Sequence, residues 1–72
     1  MNKVDNLIAF GQRLREIRKQ RKLTQAILAE KINVSTNFIG MVERGKRNTT
    51  VDKVFSLAKA LDISLEEFFK NL

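Results

Sequence analysis

The chain has 72 residues, a formal net charge of +6, and neither cysteine nor histidine. Disulfides and thiolate metal sites are therefore excluded, and a zinc site would have to consist of carboxylates alone, which zinc rarely accepts. Hydrophobic residues make up 43% of the chain and charged residues 31%, which is typical of one small folded domain. No apolar run is long enough to cross a membrane, and the N-terminus lacks a signal-peptide pattern. We expect a cytoplasmic protein with a single domain over residues 1–72 and no metal or cofactor.

The positive charge is concentrated towards the N-terminus. Residues 1–23 hold seven basic and two acidic side chains, residues 24–50 hold four and two, and residues 51–72 hold three and four. The first two-thirds of the chain can therefore face a polyanion, while the last third is available for another task. A basic surface that only keeps the protein soluble explains the same charge equally well, so the charge has to be interpreted together with a motif.

The hydrophobic pattern predicts an all-α domain of five helices with short connections. The first helix covers about residues 5–21, and its surface is rich in arginine and lysine. Its buried face consists of apolar residues at helical spacing, namely Leu7, Phe10, Leu14 and Ile17. Thr24 is a good N-cap for the second helix, at about residues 25–32.

The third helix begins at Ser35 or Thr36 and ends near residue 44, with Gly45 as a left-handed C-cap. At 100° per residue, the apolar face of this helix consists of Phe38, Ile39 and Val42. The opposite face has no role in the core and carries small or polar groups: Thr36, Asn37, Gly40, Met41 and Arg44. The second and third helices therefore have the layout of a helix-turn-helix, with Asn33 at the turn.

The polar face of the third helix is suited to the DNA major groove. Short side chains let the helix backbone approach the base edges, and Asn37 can form a bidentate pair with adenine. A Thr or Met methyl group can contact the methyl group of thymine. A surface helix selected only for solubility would carry Glu and Lys instead, so this composition favours a recognition helix over residues 36–44.

Two further helices are predicted in the last third of the chain. Thr50 caps the fourth helix, residues 51–61, and Ser64 and Glu67 form a capping box for the fifth, residues 65–70. The predicted apolar stripe of the fourth helix is Val51, Val54, Phe55, Ala58 and Leu61.

The fifth helix region offers more apolar groups than so small a core can bury: Leu65, Phe68, Phe69 and Leu72. These four residues are predicted to form a dimer interface, with one of the two phenylalanines directed into the core instead; the alternative is that both phenylalanines simply cap the core.

Residues 23–48 resemble the helix-turn-helix of the phage-repressor and Cro type, called the XRE family. The resemblance rests on Leu23-Thr24-Gln25, Leu28-Ala29-Glu30, Val34-Ser35, Ile39 and Val42-Glu43-Arg44-Gly45-Lys46-Arg47-Asn48. It continues through Leu57-Ala58-Lys59-Ala60-Leu61 and Ser64-Leu65-Glu66-Glu67-Phe68-Phe69, and covers about residues 7–70. It implies a compact five-helix lambda-repressor-like fold that binds operator DNA, usually as a dimer, and controls transcription. Short members of this family include Cro-like proteins, restriction–modification controllers and antitoxins.

The resemblance also implies roles for individual residues. Base contacts are expected from Thr36, Asn37, Met41 and Arg47, the last at a base or at the minor-groove edge. Phosphate contacts are expected from Gln25, Ser35, Arg44, Lys46 and Asn48. Ala29 corresponds to the small residue where the second and third helices cross, and Gln25 also braces the third helix. Arg18 and Glu43 are expected to form a structural ion pair that ties the first helix to the third.

The chain departs from the family pattern at three positions. Asn33 replaces the usual turn glycine and tolerates the left-handed conformation nearly as well. Lys22 stands where a glycine often ends the first helix, and a left-handed conformation there would cost about 1–2 kcal/mol. Ile27 replaces an acidic residue of the first turn of the second helix, which removes a favourable charge worth roughly 0.3–1 kcal/mol.

The leading hypothesis is a sequence-specific DNA-binding transcriptional regulator that binds a near-palindromic operator as a homodimer. An antitoxin or other interaction module that binds a partner protein through the fifth helix is the alternative, and a basic membrane-surface protein is a weaker one. An enzyme is not expected, because the sequence has no histidine or cysteine, no glycine-rich phosphate loop and no carboxylate pair placed for acid–base chemistry. We also expect no small-molecule effector.

Overall fold

A computed structural model describes residues 2–72 of the chain. The described residues form five helices and no strand, which confirms the predicted all-α fold. The helices are α1 (Lys3–Gln20), α2 (Gln25–Lys31), α3 (Thr36–Glu43), α4 (Val51–Ala60) and α5 (Leu65–Phe68). None of these helices is long and apolar enough to cross a membrane.

Each of the five described helices begins at a side chain that accepts a hydrogen bond from the backbone of its first turn. The N-cap residues are Asn2, Thr24, Ser35, Thr50 and Ser64, and their oxygens lie 2.9 to 3.2 Å from the donating nitrogens. Each cap of this kind stabilises a helix by about 0.5–2 kcal/mol. The predicted caps Thr24, Thr50 and Ser64 are confirmed, and the N-cap of α3 is Ser35 rather than Thr36.

In the described chain, α1 to α4 all end with a residue at positive φ. These residues are Lys22 (59°), Asn33 (59°), Gly45 (73°) and Asp62 (54°). The amide of this residue and the next amide both donate back into the preceding turn, as Asn33 does to Glu30 (3.2 Å) and Val34 to Ala29 (3.0 Å). This pair of hydrogen bonds defines the Schellman motif, which satisfies the last carbonyls of each helix and turns the chain sharply. The turn that joins α2 to α3 is therefore one of four built in the same way.

The core lies where α1, α2, α3, α4 and the single turn of α5 meet. Its buried apolar residues are Leu14, Ile17, Leu28, Ala29, Ile39, Val42, Leu57, Ala58, Leu61 and Phe68. Helix α1 approaches α3 most closely at Gly11, where an added Cβ would overlap the carbonyl oxygens of Val42 and Glu43. Because α3 rests directly on α1 at this glycine, its apolar side is held against the core and its other side faces outwards.

Two predictions about the last third of the chain are wrong in part. Val51 and Phe55, which were expected in the buried stripe of α4, are 73% and 50% exposed. Phe68, which was included in the dimer interface, is fully buried and stacks on Phe10 with the ring centroids 5.3 Å apart. It therefore cannot contact a partner, and half-buried Leu65 packs against the core as well. Phe69 and Leu72 remain exposed.

Candidate nucleic-acid interface

The outward side of α3 carries three of the predicted base-contacting residues. Thr36 and Asn37 are exposed in its first turn, and half-buried Met41 lies one turn further on. The Asn37 amide nitrogen, Nδ2, donates a weak hydrogen bond to the Met41 sulfur at 3.4 Å. Asn37 and Met41 therefore contact each other on this side of the helix, and Thr36 is exposed next to Asn37 in the chain.

Gly40 does not belong to this exposed surface, although the helical wheel placed it there. It is buried beneath the side chains of Gln25 and Arg44. An added Cβ would lie 3.1 Å from Nη1 of Arg44 and 3.5 Å from Oε1 of Gln25. Because Gly40 has no side chain, the side chains of Gln25 and Arg44 can pack closely against α3 at this point. Both residues are predicted phosphate contacts.

The end of α3 is tied to α1 and α2 by a buried ion pair. The Arg18 guanidinium donates to both carboxylate oxygens of Glu43, at 2.6 and 3.0 Å, and these side chains are 9% and 2% exposed. Arg18 also donates to the Leu23 carbonyl (2.8 Å), and the Gln25 amide donates to Glu43 at 3.0 Å. This is the structural pair implied by the family resemblance. Because it also holds Gln25, it fixes the start of α2 relative to the end of α3.

The loop after α3 supplies the remaining cations of this face. Arg47 stacks on Phe38, with its guanidinium carbon 5.4 Å from the ring centroid. Cation–π contacts at such exposed positions contribute about 0.5–1 kcal/mol, which is enough to favour one position of the side chain. Arg44, the C-cap of α3, and Lys46 in the loop are also exposed. Asn48 is exposed too, and its side-chain oxygen accepts a hydrogen bond from the Thr49 amide at 2.8 Å.

Two arginines, Arg13 of α1 and Arg21 at its C-cap, have structural roles that the sequence did not reveal. Arg13 donates to the carbonyls of Glu67 (2.6 Å) and Phe68 (3.0 Å), which end α5. Arg21 donates to the carbonyls of Leu61 (2.7 Å) and Asp62 (3.3 Å), which directly follow α4. The basic N-terminal region is therefore only partly available to a polyanion, which corrects the interpretation of its charge. These contacts span 40 to 55 residues, so no local pattern could have revealed them.

A polar cavity of about 290 Å³ opens between α1 and the end of α3. It is lined by Arg15, Arg18, Gln25, Glu43 and Arg44. Arg15 was not among the site residues predicted from the sequence. A signal was present, because Arg15 precedes Arg18 by three residues and residues at this spacing share one side of a helix.

Comparisons with known proteins place the chain in a family. The helix-turn-helix family HTH_3 matches residues 14–68, so the chain belongs to this family, and the predicted family and fold are confirmed. The immunity repressor protein of Bacillus phage phi105 is 44% identical over 58 residues, which make up 81% of this chain and 40% of the repressor. The chain therefore spans less than half of that relative.

Two solved structures match over most of their length. The restriction–modification controller protein C.AhdI of Aeromonas hydrophila superposes with a TM-score of 0.86 at 43% identity, covering 90% of this chain and 98% of that one. The controller protein C.Esp1396I, solved as a tetramer in complex with its natural 35 base-pair operator, gives 0.81 at 31% identity over 89% and 84%. The names of these relatives describe repressors and controllers rather than enzymes, in agreement with the class of protein predicted from the sequence.

Proposed function

We propose that this chain is a sequence-specific DNA-binding transcriptional regulator whose helix α3 enters the major groove of an operator. The observation that carries the proposal is the outward side of α3, where Thr36 and Asn37 are exposed beside the cations Arg44, Lys46 and Arg47. The small polar groups can contact the base edges in the major groove, and the neighbouring cations can contact the phosphates that flank it.

The residues of this face divide into two groups by their chemistry. Base edges are contacted by Thr36, Asn37 and Met41, with Arg47 at a base or in the adjoining minor groove. Phosphates are contacted by Gln25, Ser35, Arg44, Lys46 and Asn48. Base contacts determine the sequence that is bound, whereas phosphate contacts fix the position of the protein on the duplex and contribute most of its salt dependence.

The Arg18–Glu43 pair supports this function by holding the recognition helix rigid. It joins α1, α2 and α3 at a single buried point, through bonds of 2.6 to 3.0 Å that also include Gln25. A contact surface that is already ordered before binding does not lose further conformational entropy on DNA.

The chain acts as a homodimer through an α4–α5 apolar patch, which we define as Val51, Phe55, Phe69 and Leu72. All four side chains are exposed, and Val51, Phe69 and Leu72 line one apolar groove of about 320 Å³. Phe55 lies one helical turn after Val51, so it extends the same surface along α4. Exposed apolar patches of this kind usually bury themselves against a partner. The tetramer that C.Esp1396I forms on its operator supports assembly of several copies on DNA.

Selection of bound sequences from a random DNA pool tests the proposed function directly. We expect a near-palindromic site, because a two-fold dimer presents the same recognition helix to both half-sites. Asn37→Ala should weaken binding to the selected site by about 1–3 kcal/mol and leave binding to random DNA nearly unchanged. Gln20→Ala, which removes an exposed amide from α1 away from the α4–α5 apolar patch, serves as the control. Equal losses on selected and random DNA would make Asn37 a backbone contact, and failure to enrich any sequence would contradict the proposed function.

A further inference from the structure

We infer that Arg15 and Arg44 together bind one backbone phosphate of the DNA at the mouth of the polar cavity between α1 and α3. This inference rests on the proposed DNA-binding function and deepens it, because Arg15 belongs to α1 and lies outside the helix-turn-helix. It makes α1 a direct anchor on the duplex in addition to its role as a support for α3.

The charges that line the cavity favour an anion. Arg18 and Glu43 neutralise each other in the bidentate pair, and the Gln25 amide donates a hydrogen bond to the same carboxylate. Among the residues that the structure describes, no carboxylate lies within ion-pair distance of Arg15 or Arg44. The lining of the cavity therefore combines a neutralised ion pair with two arginines, Arg15 and Arg44, that have no counter-charge. Guanidinium groups offer the charge-assisted donors that phosphate oxygens accept best.

The positions of these two arginines point to DNA as the source of the phosphate. Arg44 ends the helix proposed to lie in the major groove, and its guanidinium lies across Gly40 with Nη1 3.1 Å from the position of an added Cβ. Gln25, which is itself a proposed phosphate contact, lies on the other side of the same glycine. Arg15 contributes to the lining of the same cavity from α1, and the cavity volume of about 290 Å³ is ample for a phosphate group. A phosphate on the strand beside α3 can therefore reach both guanidinium groups.

The salt dependence of DNA binding tests the role of Arg15. Arg15 is exposed, so Arg15→Gln should leave the melting temperature unchanged. On the selected operator, this variant should lower the slope of log K against log salt by about 0.9 per protomer, because each protomer then neutralises one phosphate fewer. Lys59→Gln removes the same charge from an exposed position on α4 and should leave the slope unaltered. Arg15→Lys, which keeps the charge but loses the planar fork, should restore part of the slope.

Two further measurements separate a shared phosphate from other arrangements. If Arg15 and Arg44 hold the same phosphate, the affinity loss of the double Gln variant should differ at least about twofold from the product of the two single losses. A loss equal to that product, or an equal effect of Lys59→Gln, would overturn the inference. Saturable binding of inorganic phosphate that Arg15→Gln abolishes, combined with an unchanged DNA slope, would assign the cavity to a free anion and overturn it too. If the unaltered protein failed to bind any DNA, the proposed function would fail before this site was tested.

Discussion

Two glycines, Gly11 of α1 and Gly40 of α3, have opposite structural roles in the packing of α3. At Gly11, the backbone of α1 touches the backbone of α3, and an added Cβ would lie 2.6 Å from the Glu43 carbonyl oxygen. At Gly40, an added Cβ would meet the far ends of two flexible side chains, those of Arg44 and Gln25. A backbone contact can be relieved only by separating the helices, whereas a guanidinium group can move aside.

These surroundings predict opposite stability effects for the same substitution. Gly11→Ala should destabilise the fold by about 1–3 kcal/mol or more, because the methyl group forces α1 away from α3. Gly40→Ala should raise the free energy of unfolding by up to about 1 kcal/mol, because alanine is the better helix former. Its DNA affinity should nevertheless fall, because the methyl group displaces Arg44. Urea denaturation of both variants measures the stability changes, and a DNA-binding titration measures the affinity of Gly40→Ala. An unchanged affinity would show that the position of Arg44 over Gly40 is not needed for DNA binding.

At the scale of the elements, the buried ion pair of Arg18 and Glu43 joins α1 to α3, and its loss should lower the free energy of unfolding of the whole domain. Glu43→Gln leaves the Arg18 guanidinium buried without its counter-charge, and breaking a pair in this way costs about 3–5 kcal/mol. Glu16→Gln makes the same chemical change at the exposed partner of Arg13 on α1 and should stay within about 0.5 kcal/mol. Thermal or urea unfolding compares the two variants. Equal stability of the two proteins would mean that the buried pair contributes no more than a surface pair.

The beginnings and ends of the helices could largely be predicted from the sequence. Thr24, Thr50 and Ser64 are N-caps because a hydroxyl oxygen next to an apolar periodic segment can satisfy the first free amides. The left-handed conformation of Asn33 and Gly45 follows from the same local chemistry. Asp62 adopts φ of 54° and was not singled out, although it lies in the predicted connection between the fourth and fifth helices and aspartate is one of the residues that tolerate this conformation.

Contacts between distant elements could not be predicted in this way. The apolar spacing of α4 suggested a buried stripe that includes Val51 and Phe55, but the five helices of the described chain enclose a core too small to reach them. Arg13 and Arg21 were counted as free positive charge, because their carbonyl partners lie at least 40 residues away. Arg18 and Glu43 were foreseen only through the family resemblance. Local chemistry thus specifies the helices, while their packing decides which apolar and charged groups remain at the surface.

At the scale of the whole molecule, one copy is too small to recognise an operator by itself. Helix α3 has eight residues and is therefore about 12 Å long, so it spans only about three or four base pairs. The longest dimension of the protein is 31 Å, while recognition helices on successive major grooves lie about 34–36 Å apart. Two copies related by a two-fold axis can satisfy this spacing and double the length of sequence that is read.

The α4–α5 apolar patch is the proposed surface for this pairing, and its substitution should yield a folded monomer. Phe55→Glu and Leu72→Glu each place a charge on the patch without entering the core, since both side chains are about half exposed. Ile27→Glu is the matched control, because Ile27 on α2 is 46% exposed, as Leu72 is, but lies outside the patch. Analytical ultracentrifugation at tens of micromolar protein should give dimers for the unaltered protein and Ile27→Glu, and monomers for the two patch variants. The monomers should bind a single half-site weakly, because they lose the effective concentration that links the second recognition helix to the first. An unaltered protein that sedimented as a monomer, yet bound a partner protein through Phe55 and Leu72, would assign the patch to that partner instead of a second copy.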